Sequence, residues 1–170
     1  MKFATERLIV REIKLKDIEF LLDIYNKEEN MKFVSDGKFN WTKEVIIAKY
    51  DNVNKNYNKG IGIFAIELKE NNTIIGEVGL FDSFNNFSKL ELGYIIDSKF
   101  QNKGFGKEVC NGLLRYAKEK LNTEIIVARM YSENLKSIKL SETCGMKMIG
   151  SNHTDNGKKF NTYEKHLVIK

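Results

Sequence analysis

One junction limits what this chain can fold into. Residues 90–96 form an apolar, β-rich run, followed by a polar loop that holds Gly104 and Gly106. Residues 104–120 then place Val109, Cys110, Leu113, Leu114 and Ala117 on one helical face. A strand that feeds a long amphipathic helix through so short a loop has to lay that helix back on its own sheet. An α/β sandwich is therefore expected. The alternation continues beyond it. Residues 124–130 read as a strand and 135–143 as a short helix. Residues 147–151 and 159–169 read as two strands joined by the turn Asp155-Asn156-Gly157.

The first half has a different rhythm. Residues 8–12 alternate as a strand. Asp17 is expected to cap a helix that carries Ile18, Leu21, Leu22 and Tyr25 at helical spacing. Thr42 is expected to cap a second, with Ile46, Tyr50, Val53 and Tyr57 on one stripe. Residues 61–68 and 73–81 then read as a hairpin closed by Glu70-Asn71-Asn72. Early hairpins make the sheet mixed rather than purely parallel. No linker, repeat or low-complexity tract interrupts the chain, so residues 1–170 are expected to form a single domain.

Composition removes several classes of function. Hydrophobic residues make up 42% and charged residues 30%, which describes a soluble globular chain and not a disordered one. No stretch approaches the run of about 18 apolar residues that a membrane span needs. The net charge is +5, but acidic residues interleave with basic ones, as in Lys16, Asp17, Glu19 and in Lys27, Glu28, Glu29. That pattern makes a solvated surface, not a nucleic-acid-binding face. Cys110 and Cys144 are too few for a disulfide framework, and neither they nor His153 and His166 stand at ligand spacing, so no metal is expected. Residues 1–14 lack a signal-peptide core, and a reduced, cytoplasmic protein is the expectation.

The loop between strand and helix carries the chemistry. The first amides of a helix have no intrahelical acceptor, and the helix dipole adds partial positive charge there. Gly104 and Gly106 remove side chains that would hold a phosphate away from the backbone, and Lys103 and Lys107 bring full positive charge. A phosphate or diphosphate ligand is therefore predicted. The spacing is neither that of a Walker loop nor that of a dinucleotide fingerprint.

Four passages together resemble the GNAT superfamily of N-acetyltransferases, in the branch that holds ribosomal-protein N-terminal acetyltransferases and spermidine acetyltransferases. Thr5-Glu6-Arg7-Leu8-Ile9-Val10-Arg11 is similar to that branch's T-E-R-L-x-L-R opening. Glu91-Leu92-Gly93-Tyr94-Ile95-Ile96 is similar to its E-I-G-Y-x-L strand, and Gln101 to Gly106 to its Q-x-x-G-x-G loop. The segment from Asn134 through Ser137, Ser141 and Gly145 to Met146 is similar to its N-x-x-S motif. The resemblance implies a mixed, mostly antiparallel central sheet of about seven strands flanked by about four helices. It also implies acetyl-CoA as co-substrate and an amine as acceptor.

The resemblance assigns roles to particular residues. Gln101, Asn102, Lys103, Gly104, Phe105, Gly106 and Lys107 would hold the cofactor's diphosphate, mostly through backbone amides. Tyr94, Ile95 and Ile96 would pair with the pantetheine arm as an added strand does, with Tyr94 and Ile96 pointing alike and Ile95 opposite. Asn134 is a helix cap, a pantetheine contact, or both, and Ser137 is a further contact one turn on.

Acetylation also needs a neutral amine, whose reference pKa is roughly 10, so a base must take a proton. Glu91 matches the family's glutamate, and Glu77 on the preceding strand is the alternative. At Ser141 many members of the wider superfamily carry a tyrosine that protonates the leaving thiolate, which the N-terminal acetyltransferase branch often lacks. Here the serine, a water or nothing fills that role. Trp41, Phe33 and Phe39 lie where the family shapes its acceptor pocket, and they read equally as core. The favoured acceptor is a peptide N-terminal amine, then a polyamine or amino sugar, for which Glu28, Glu29 and Asp36 would contribute charge. A non-catalytic acyl-CoA sensor is the reading of another class. The oligomeric state stays open, a homodimer included.

Overall fold

The computed structural model describes residues 3–34 and 36–167. In chain order the elements are β1 (Phe3–Ala4), β2 (Leu8–Glu12), α1 (Ile18–Tyr25), α2 (Glu28–Met31), α3 (Lys43–Val53), β3 (Gly62–Leu68), β4 (Ile74–Phe81), β5 (Lys89–Ile96), α4 (Phe105–Leu121), β6 (Ile125–Tyr131), α5 (Leu135–Thr143), β7 (Lys147–His153) and β8 (Lys159–His166). Short 3-10 turns lie at Leu15–Asp17, Asn54–Lys59 and Ser98–Phe100. The strands form one eight-stranded sheet, β1-β2-β3-β4-β5-β6-β8-β7. Every neighbouring pair is antiparallel except β5 and β6.

Alternation along each strand decides which helices it meets. Phe64 and Ile66 of β3 and Leu90, Leu92 and Ile96 of β5 join Val109, Leu113 and Ala117 of α4 in one core. Ile63, Ala65 and Ile95 point the other way and join Leu21, Ile24 and Ile46 in a second core. Thus α1 and α3 cover one face of the sheet, and α4 and α5 the other.

Most predicted elements are present within a residue or two of their expected ends. The two-residue β1, which pairs Phe3 with Val10, and the one-turn α2 are additions too short to leave a periodic signal. Of the last expected strand, residues 168 and 169 lie outside the described residues. Thr42 caps α3 as expected, its Oγ1 accepting from the Val45 amide at 3.4 Å.

Asp17 does not cap α1. Its carboxylate is buried, and it accepts from Arg11 Nη1 and Nη2 at 2.7 and 2.9 Å and from the Lys14 amide at 2.7 Å. Arg11 Nε also donates to Glu67 Oε2 at 2.7 Å. A buried guanidinium needs anionic partners, and that need outweighs a helix cap. Burial opposes ionisation of Asp17, but the Arg11 and Lys14 hydrogen bonds outweigh it and hold the carboxyl below its usual range.

One irregularity of the sheet positions the site. The parallel ladder joins Lys89 to Ile125, Leu90 to Ile126 and Glu91 to Val127, and goes no further. Beyond it β5 runs on to Ile96 against β4, and β6 runs on to Tyr131 against β8. The two strands part, and the β5 edge over residues 92–96 faces an open fork.

Candidate active site

The start of α4 lies at the mouth of this fork. Gly104 stands before the helix with φ +82°, in the left-handed region where a side chain is strained. Asn102 is also left-handed, at φ +60°. The Glu108 amide bonds to the Gly104 carbonyl at 3.1 Å. Among the described residues the amides of Phe105, Gly106 and Lys107 have no backbone acceptor. This is the orphan donor set that an anion can occupy. Lys103 and Lys107 are exposed beside it, and Phe105 is buried beneath it.

Gly106 has a different local reason from the one its spacing suggests. A Cβ there would stand 3.1 Å from Leu140 Cδ2 and 3.7 Å from Ile96 Cδ1. Its missing side chain lets α5 and the end of β5 close on α4.

The strand end, the loop and α5 are stitched together around the fork. Gln101 Nε2 donates to the Ile96 carbonyl at 2.9 Å, and Lys136 Nζ donates to Gln101 Oε1 at 3.0 Å. The Gln101 side chain therefore braces the loop from within. Tyr94 OH donates to Ser137 Oγ at 2.9 Å, and Asn134 Oδ1 caps α5 by accepting from the Ser137 amide at 3.2 Å. Burial pushes the Tyr94 phenol up to about 12 against the Ser137 hydrogen bond, so it stays protonated and donates. Tyr94 and Ile96 pack on the α4 side and Ile95 on the other.

Glu91 is the last paired residue of β5 before the fork, on the face opposite Tyr94. Arg129 of β6 reaches across to it: Nε donates to Oε1 at 2.8 Å, and Nη2 donates to Oε2. Sequence reasoning missed Arg129, because nothing local to residue 129 marks it as the partner of residue 91. Lys136 was missed for the same reason. Lys89 turns to Glu164 at 2.8 Å rather than to Glu91.

Glu77 is buried on β4 opposite Ile95, away from the β5–β6 edge. Its oxygens accept from Tyr25 OH and Tyr50 OH at 2.5 Å each and from Lys49 Nζ at 3.1 Å. That set ties α1 and α3 to the sheet. Ser141 is buried on the α5 side, with Oγ 3.8 Å from Met130 Sδ. Glu91 and Ser141 thus stand on opposite faces, with the fork between the strands that carry their neighbours.

Trp41 is half-buried and packs edge-on against Tyr25, with ring centroids 4.9 Å apart, whereas Phe39 is exposed. Cys110 and Cys144 are free and buried. His166 Nε2 lies 2.9 Å from Glu164 Oε1, and His153 is exposed. Among the described residues no group of three or more His, Cys, Asp and Glu is placed to hold a metal ion, and no helix is long and apolar enough to cross a membrane.

The profile of the acetyltransferase (GNAT) domain matches residues 7–147, a span that includes the strand fork and the start of α4. The chain belongs to the GNAT acetyltransferase family. It is an N-acetyltransferase, and acetyl-CoA is its donor. An uncharacterised N-acetyltransferase of Bacillus subtilis, YnaD, is 28% identical over 150 residues, covering 88% of this chain and 85% of that one. The crystal structure of a GNAT-family acetyltransferase from Bacillus anthracis superposes with a TM-score of 0.85 at 25% identity, covering 98% of both chains. Spermidine N-acetyltransferase from Vibrio cholerae, solved with CoA and spermine, shares the fold at a TM-score of 0.80 and 22% identity, over 94% of this chain and 95% of that one.

Proposed function

We propose that this acetyltransferase moves the acetyl group of acetyl-CoA to a peptide or protein N-terminal amine by direct attack. The diphosphate rests on the amides of Phe105, Gly106 and Lys107, with Asn102, Lys103 and Gly104 shaping the turn and Lys103 and Lys107 supplying charge. The pantetheine arm lies along the open edge of Tyr94, Ile95 and Ile96, beside Asn134 and Ser137. On the α1 and α3 side of the fork Arg129 remains solvent-exposed beside Glu91, so the acceptor comes from that side.

There Glu91 takes one proton from the ammonium, and the free amine attacks the thioester carbonyl. A main-chain N–H of residues 92–96 stabilises the oxyanion. The C–S bond breaks, the nitrogen loses its second proton, and the thiolate receives one. A thiolate of reference pKa about 8.5 leaves without a strong acid, so a hydrogen bond from Ser141 suffices. Glu91 is preferred to Glu77 because it stands at the fork.

The observation that favours a peptide over a polyamine is charge pairing on the acceptor side. Glu91 is held by Arg129, Glu164 by Lys89 and Glu77 by Lys49, so these carboxylates offer no spare negative charge to select a polycation. Of the outer acidic residues, Glu29 accepts from Ser98 Oγ and Asp36 from the Lys38 amide. A thiol-release assay with acetyl-CoA over peptides, polyamines and amino sugars tests the reading. The highest kcat/KM is expected on a peptide N-terminus, and a polyamine or amino sugar in first place would refute it.

A further inference from the structure

The opening of the chain is fastened to the first turn of α4. Thr5 Oγ1 and the Arg7 amide donate to Glu108 Oε1 at 2.5 and 2.7 Å, and Arg7 Nε donates to Oε2 at 2.7 Å. Arg7 Nη1 donates to the Lys103 carbonyl at 3.1 Å. The guanidinium lies 4.3 Å from the centroid of the Phe105 ring, and Nη2 is 3.3 Å from where a Cβ on Gly104 would stand. An arginine whose side chain is 45% exposed is ordinarily free to wander. This one is fixed by two acceptors and a ring.

Three consequences converge on the phosphate site. The Lys103 carbonyl is the acceptor one helical turn before the Lys107 amide. It lies outside the helix and accepts from Arg7, which fixes the edge of the loop, while the Lys107 amide is one of the first-turn donors without a backbone partner. Glu108 sets a carboxylate within a turn of the same amides. Burial opposes its ionisation, but Thr5 and Arg7 outweigh that and hold the carboxyl below its usual range. Unpaired, this charge would repel a phosphate, and the guanidinium cancels it. Lastly, Nη2 makes no hydrogen bond to the described residues and stands at the rim of the loop.

We propose that Arg7 is a cofactor-binding residue: it fixes the Lys103 carbonyl at the edge of the loop and gives Nη2 to a phosphate oxygen of coenzyme A. This rests on the reading of the 101–107 loop as the cofactor's phosphate site.

The test is calorimetric titration of coenzyme A and dephospho-coenzyme A into the full-length wild type, Arg7→Gln and Arg7→Lys at several salt concentrations, with ligand-free melting curves. Arg7→Gln is expected to bind coenzyme A about tenfold more weakly, with a shallower salt dependence than the wild type. Arg7→Lys should keep the salt dependence while recovering only part of the affinity, because a point charge cannot make the fork. If the loss persists with dephospho-coenzyme A, the contact is to the diphosphate; if it vanishes, to the 3′-phosphate. Wild-type affinity in Arg7→Gln overturns the proposal, as does weaker binding whose salt dependence parallels that of the wild type, the mark of mere loop distortion. Should Arg7→Gln melt too low to titrate, Arg7→Lys decides, and full wild-type affinity there overturns it. Failure of the wild type to bind coenzyme A would instead remove the reading of the loop itself.

Discussion

Glu91 and Arg129 meet where two strands part, so one carboxylate has two tasks. It holds β6 to β5 at the last ladder position, and in the proposed reaction it takes the acceptor's proton. Glu91→Gln keeps the shape and removes the basicity. Turnover is expected to fall by about 10²–10⁴ while coenzyme A affinity stays within error, as steady-state rates and calorimetry would reveal. Unchanged turnover would pass the role to another group. At this scale the sequence was legible wherever a residue acts through its own backbone neighbourhood. Gly104 could be read from its place before a helix, and Asn134 and Thr42 from theirs. Arg129, Lys136 and the Arg7–Glu108 pair could not, because each partner lies between 35 and 101 residues away and is chosen by how strands, helices and loops pack together.

Among the elements, the join between β2, the following 3-10 turn and β3 carries a buried ion network beside its apolar core of Leu8, Val10, Phe64 and Ile66. Arg11, Asp17 and Glu67 are all buried there. Asp17, Asp97 and Glu108 have carboxyls held below the usual range: burial opposes each, and hydrogen bonds from cationic, amide or, for Glu108, hydroxyl partners prevail. A carboxyl with a lowered folded-state pKa contributes stability that is complete above its unfolded value of about 4 and disappears as pH falls through the folded value. Urea midpoints should therefore hold steady from pH 7 to about 5 and drop steeply below about 4. Asp17→Asn should lose about 3 kcal/mol at pH 7 and show a shallower acid limb. Equal acid limbs in the two proteins would exclude Asp17 as a contributor. The periodic elements were readable because each buries a stripe or an alternate face. Asp17 was misread because its buried partner, Arg11, cannot be told from a surface arginine by pattern alone.

For the molecule as a whole, the chain order of strands and helices was legible but not the neighbour order. Nothing in residues 147–166 says that β8 lies between β6 and β7, or that β5 and β6 run parallel and then separate. Those facts come from packing two opposed layers of helices on one twisted sheet. The fork has a kinetic meaning. In the proposed arrangement donor and acceptor reach the gap from opposite sides of the sheet, so neither would have to vacate the site for the other. Initial rates measured against both substrates should give double-reciprocal lines that intersect, and parallel lines would point to a covalent acetyl intermediate. In the proposed reaction the gap between the diverging strands would serve as a single window, where two reagents held apart by the sheet touch at one atom each.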